Sequence, residues 1–327
     1  MKPTPGDYLT PALYAFGLII AGIVIRYIRI LRPITKPAFR ILNVGILWVM
    51  LPTVVFVSIA RYSLDQILGF SNAAVFALMG LGVCFVLAVG ISTFMHHDRK
   101  TTIAVTLNSA FMNVTYLGLP LVYALTALDP PRAGLGPTWG LGPASLYAVA
   151  IGIPHLILGV ALAVSARKRR VTPRFVLENV LVFPATIALI TALLFVGFNA
   201  YLPTVVQDTF DVYLVKPFFA LMLLFVGYQM PLVNPRKYVS KLATVGAIRF
   251  LVCPLVVFAL IGMAGLSIAT DISPKPTLIQ AMMPPAVFNV FLAYNFKLDL
   301  KLYGAIVFYL TLFSLFLALP LMIYFIF

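Results

Sequence analysis

The sequence predicts an all-α polytopic membrane protein. Three observations carry that class. Hydrophobic residues make up 62% of the 327 and charged ones only 10%, more apolar surface than a soluble domain of this size can cover with polar groups. The apolar residues fall in continuous runs of about 20, the length that crosses a bilayer as a helix, rather than in the alternation of a membrane barrel. The basic residues, finally, collect in every second loop.

Taken in order, the runs give ten spans: residues 8–25, 39–60, 72–95, 102–128, 138–165, 175–197, 206–230, 241–267, 277–296 and 302–326. Of the 23 Lys and Arg residues, 17 lie in the loops after odd-numbered spans: Arg26 to Arg40, Arg99–Lys100, Arg167 to Arg174, Arg236 to Lys241, and Lys297 with Lys301. The other side holds Lys2, Arg61, Arg132 and Lys275 together with six acids, among them Asp7, Asp65, Asp129 and Asp271. Because cytoplasmic loops carry the basic excess, both termini are expected outside. The net charge of +14 then reads as attraction to anionic lipid and not as a nucleic-acid surface. The amino end has no cleavage pattern of small residues and is not expected to be a cleaved signal. The loops are short, and Pro130–Pro137 reads as the outer turn between spans 4 and 5.

Ten spans with both ends outside divide five and five, at 1–166 and 167–327, so any repeat relating the halves is inverted. The fourth span of each half is interrupted in its middle. Span 4 contains Asn113, Thr115, Tyr116, Gly118 and Pro120; span 9 contains Gln280, Pro284, Pro285 and Asn289. Matched Gly/Pro interruptions in two halves point to a transporter binding site. Proline removes a backbone donor and glycine permits unusual dihedrals, so unwound backbone is expected near Gly118–Pro120 and at Pro284–Pro285. Unwound backbone inside a bilayer must line a cavity or a ligand. A half-helix amino end there would offer free N–H groups to a carboxylate. The alternative for span 4 alone is a proline kink with Asn113 bonded to a neighbouring helix.

Asn113-x4-Gly118-Leu-Pro120 and the run Met283-Pro-Pro-Ala-Val-Phe-Asn-Val-Phe-Leu-Ala-Tyr294 closely resemble signature segments of the auxin efflux carrier family. Leu51-Pro52 and Arg249 to Pro254 add to the resemblance, which runs in order along essentially the whole chain. It implies two inverted five-helix repeats with helices 4 and 9 crossing at their breaks. It also implies a mobile transport domain (helices 3–5 and 8–10) moving against a scaffold (helices 1, 2, 6 and 7), and homodimers formed through that scaffold. The implied activity is export or exchange of organic anions, auxin in plants and dicarboxylates in bacteria. The short central loop, Arg167–Arg174, makes the chain similar to short, bacterial members, placed in the inner membrane.

Other ionisable residues inside spans are functional candidates by default. Arg249 is either a counter-charge for the anion or a side chain snorkelling to the cytoplasmic head groups, the latter favoured. Lys216 is expected to pair with Asp211 or Asp208, and Glu178 to form an interfacial pair near Arg174. His155 reads first as a neutral core residue bonded to backbone and second as a protonation switch; His96 and His97 read as interfacial. Two distant cysteines, Cys84 and Cys253, and three histidines make no metal or disulfide framework, and no cofactor is expected. No acid lies near the interruptions, so a coupling cation held by a carboxylate is disfavoured. An anion needs none: about 100 mV, inside negative, is worth about 2.3 kcal/mol per charge and drives it outward. A sodium- or proton-coupled organic-anion symporter of the bile-acid type and a non-transporting membrane sensor are the competing classes; with no carboxylate pair or paired nucleophile, an enzyme is the least favoured.

Overall fold

The computed structural model describes residues 5–130, 138–166, 184–200, 202–230 and 233–326. Within them the chain is helical, apart from turns and one two-residue antiparallel bridge. Six helices are long and apolar enough to cross a membrane: 33–60, 64–94, 141–165, 204–229, 235–263 and 300–326. They correspond to spans 2, 3, 5, 7, 8 and 10. Pro5–Tyr27 forms span 1, and Pro184–Gly197 is the described part of span 6. The remaining two expected spans are each split. Span 4 is Arg99–Ala110 (half-helix 4a) followed, after Phe111 to Asn113, by 114–126 (4b). Span 9 is Pro274–Ala281 (9a) and Phe288–Asn295 (9b). The Arg167–Arg174 loop, Glu178 and most of the Pro130–Pro137 turn lie outside the described residues.

Pro120 does not unwind span 4 as expected. In spans 2, 4, 8 and 10 a single wide turn precedes the proline: Leu51, Leu119, Cys253 and Leu319 each donate their N–H to the carbonyl five residues back. Each is followed at once by proline, at 52, 120, 254 and 320. Proline cannot donate, and its ring collides with the carbonyl four residues earlier. Widening the preceding turn to a π-turn carries that carbonyl aside and keeps the helix continuous. Thus Gly118–Pro120 is helical, with Gly118 at φ −66° and ψ −49°, and the true break lies at Phe111–Asn113.

Span 1 packs along span 7, the carboxyl-terminal half of span 2 along span 6, and span 3 against 4a and spans 5 and 8. The first of these contacts is backbone to backbone. A Cβ built on Gly22 would fall 2.1 Å from the Leu224 carbonyl oxygen, and one on Gly227 would fall 1.9 Å from that of Ile19. Small residues at a crossing let two membrane helices approach this closely, where dispersion rather than water exclusion holds them. On the side of the acidic loops, Lys275 at the start of 9a pairs with Asp129 after 4b at 2.8 Å, both buried. That contact sets the carboxyl end of span 4 beside the amino end of span 9, so the two run antiparallel.

Candidate functional site

The two breaks meet. Asn113 donates its N–H to the Pro284 carbonyl at 2.8 Å, and Ala286 donates to the Phe111 carbonyl at 3.0 Å, which closes the antiparallel bridge Met112–Pro285. Pro284 and Pro285 lack donors but keep their carbonyls, so this short ladder uses what the sequence leaves available. Four half-helix ends converge here. The carboxyl ends of 4a and 9a lie on one side of the ladder, and the amino ends of 4b and 9b on the other.

Arg249 occupies the carboxyl-end side. Its guanidinium is completely buried and donates to the carbonyls of Ala281 (2.7 Å), Ser109 (3.2 Å) and Met283 (3.3 Å), with Met112 Sδ at 3.3 Å from Nη2. A planar cation with five donors suits carbonyls that lack intrahelical partners and carry the negative ends of two helix dipoles. The snorkelling reading fails for a geometric reason: one fork reaches both breaks at once, so the side chain turns inward.

The amino-end side opens on a cavity of about 240 Å³. Asn113, Val114, Thr115 and Tyr116 line it from 4b and Val287, Phe288 and Phe291 from 9b, with Ile151, Gly152, His155 and Leu156 from span 5. Asn43 and Leu51 of span 2 and Phe225, Val226 and Gln229 of span 7 close the other wall. The volume is below the about 300–1,000 Å³ of drug-sized sites, so the occupant is small. None of the lining residues is charged at neutral pH. Asn113 is 3% exposed and its side-chain Nδ2 has no hydrogen-bond partner among the described residues. The first N–H groups of 4b, on the lining residues Val114 to Tyr116, are those that a helix cannot satisfy internally.

The expected site residues thus separate into two groups. Asn113, Thr115 and Tyr116 face the cavity, where the Tyr116 hydroxyl donates to Asn43 Oδ1 at 3.3 Å and its ring stacks near Phe225. Gly118, Pro120, Gln280, Pro284, Pro285 and Asn289 stand behind it. Gly118 owes its identity to close approach and not to its dihedrals: an added Cβ would lie 2.0 Å from Gln280 Oε1. Gln280 is fully buried and donates to the Ala144 carbonyl. Asn289 donates to the Leu107 carbonyl and Asn108 Oδ1, and its own Oδ1 lies 2.8 Å from His155 Nε2. His155 is therefore bonded to a side chain rather than to backbone. Lys216 is exposed, and the Asp211 side chain lies outside the described residues. Sequence reasoning missed Asn43 and Gln229; an amide inside an apolar span was the available signal.

The molecule so far is a polytopic helical membrane protein with paired half-helix breaks beside a cavity. Residues 29–165 match the family model described as membrane transport protein, the auxin efflux carrier family, over the stretch holding spans 2 to 5. That family consists of membrane transporters rather than enzymes. A comparison with curated proteins returns no match.

Proposed function

We propose that this protein is a secondary transporter for a small organic carboxylate, working by alternating access and exporting its substrate. The observation that carries the reading is the pairing of an unbonded, buried Asn113 amide with the unsatisfied amino end of 4b on one uncharged cavity wall. Both are donors without acceptors, and a carboxylate supplies acceptors without adding a donor. The mostly apolar remainder of the wall suits a substrate with one charged end. In this reading spans 4 and 9 cross at their breaks within a moving domain, and spans 2 and 7 belong to the fixed wall, a scaffold that also pairs the protein into a homodimer. With no carboxylate in the cavity to hold a cation, the anion moves under the membrane potential alone at neutral pH.

Purified protein in liposomes tests this. Efflux of a loaded carboxylate is expected to follow an imposed inside-negative potential and to fall to background in Asn113→Ala. The variant should remain folded and dimeric, since Nδ2 bonds nothing among the described residues. Wild-type efflux from Asn113→Ala would remove the site from this cavity.

A further inference from the structure

We propose that His155 is a protonatable group of the cavity, and that below neutral pH a proton binds together with the anion. This goes beyond the proposed function while resting on its claim that the cavity takes an anion. The geometry begins with Asn289. Its Nδ2 is spent on two acceptors, the Leu107 carbonyl at 3.1 Å and Asn108 Oδ1 at 3.2 Å, so its Oδ1 must be the acceptor toward His155. The Asn108 amide is fixed in turn by donating to the Ala104 carbonyl at 2.8 Å. The chain assigns one tautomer: the neutral imidazole carries its proton on Nε2.

The ring is held in that pose. It stacks flat on Phe111, with centroids 4.2 Å apart and planes 1° apart, and meets the edge of Phe288 at 5.1 Å. Its Cδ2 edge faces Gly159, where an added Cβ would sit 2.8 Å away. Nδ1 is on the opposite edge. It has no hydrogen bond to any described residue and is not among the fully buried unpartnered atoms, in a residue that lines the cavity. A purely structural histidine would be expected to spend both nitrogens. This one spends a single nitrogen and leaves a lone pair at the substrate space.

A proton from hydronium on the aqueous side adds to that lone pair; one O–H bond of the hydronium breaks, leaving water, and no bond of the protein does. Nε2–H stays on Asn289, Nδ1–H becomes a donor to the cavity, and the ring gains one positive charge. Among the surrounding titratable and charged groups, Tyr116 lines the same cavity and Tyr147 bonds Met112 Sδ. Arg249 is committed to carbonyls beyond Met112, Cys84 and Cys253 are fully buried, and Tyr294 on 9b is exposed. No acid lines the cavity, so the charge is balanced only by an anion inside it. Anion and proton therefore favour one another. Binding tightens as pH falls, and the transported unit changes from an anion to a net-neutral pair.

The test is calorimetric binding of acetate, malonate, benzoate and indole-3-acetate to the purified full-length protein, in two buffers of different ionisation enthalpy. For a carboxylate that binds, affinity is expected to rise about tenfold from about pH 8 to about pH 5.5, the effect of one opposite charge within reach. The buffer dependence should report uptake of up to one proton per anion bound. His155→Gln should flatten the pH profile and abolish proton uptake. Wild-type binding with no pH trend and no proton uptake would overturn the inference while leaving the anion reading intact. Binding of none of the four at any pH would overturn both.

Discussion

Arg249 poses the sharpest question at the scale of single residues, because two roles for it predict opposite phenotypes. Its three hydrogen bonds go to carbonyls at the ends of 4a and 9a, and it is absent from the cavity wall. Removing a buried donor strands its acceptors at about 1–3 kcal/mol each. Arg249→Met is therefore expected to cost roughly 3 kcal/mol or more of stability. Arg249→Lys should recover little, since an ammonium cannot span the fork. Thermal unfolding in detergent, followed beside carboxylate binding, separates the roles. A counter-charge for substrate would instead leave Arg249→Lys as stable as wild type and weaken only the anion. The sequence showed that an intramembrane arginine matters and not which way it points, because direction depends on two breaks 140 and 32 residues away. His155 shows the same limit. A histidine in an apolar span is visible at once, whereas its free nitrogen becomes visible only when Asn289 is seen to occupy the other.

Whole elements were more legible. Among the described residues, six of the spans read from hydropathy are helices long and apolar enough to cross a membrane and the others hold shorter helices, since length and continuity of apolar sequence are properties of the element itself. The locations of the two breaks fared differently. Pro284–Pro285 marks its break directly, because consecutive prolines leave no donors for a helix. Pro120 misled, because a single proline is absorbed by the π-turn at 114–118 and the opening falls a full two turns earlier. Packing between elements was hidden, and the contact of spans 1 and 7 is the clearest case. Gly22 and Gly227 are two glycines among 21, unremarkable until each is found against the other helix's backbone. Since any side chain there must displace main-chain atoms, Gly22→Ala and Gly227→Ala should each cost about 1–3 kcal/mol. The double variant should cost less than their sum, because one separation of the helices relieves both clashes. Unchanged melting temperatures for both single variants would show that spans 1 and 7 do not meet at these residues.

For the molecule as a whole, the distribution of basic residues and the shape of the cavity make one joint prediction about sidedness. Asn43 and Gln229 lie toward the ends of spans 2 and 7 that carry Arg40 and Arg236–Lys237, and both line the cavity. The cavity is thus displaced toward the basic side, which the positive-inside rule assigns to the cytoplasm. On the proposed reading, the basic residues on that side raise the local concentration of anions and suit entry of an exported acid from the cell interior. Gln229 sits on the wall that the proposed function assigns to a scaffold, so on that reading its sidedness should not change during transport. Gln229→Cys makes this measurable. Both native cysteines are fully buried and should contribute little background labelling. A membrane-impermeant maleimide is expected to label Gln229→Cys in inside-out vesicles, to leave it unlabelled in intact cells, and to be slowed by a bound carboxylate. Labelling from the outer face alone would reverse the orientation, and with it the direction in which a negative-inside potential drives the anion relative to this opening. Labelling from both faces would instead place the moving boundary on span 7 and end its assignment to the scaffold.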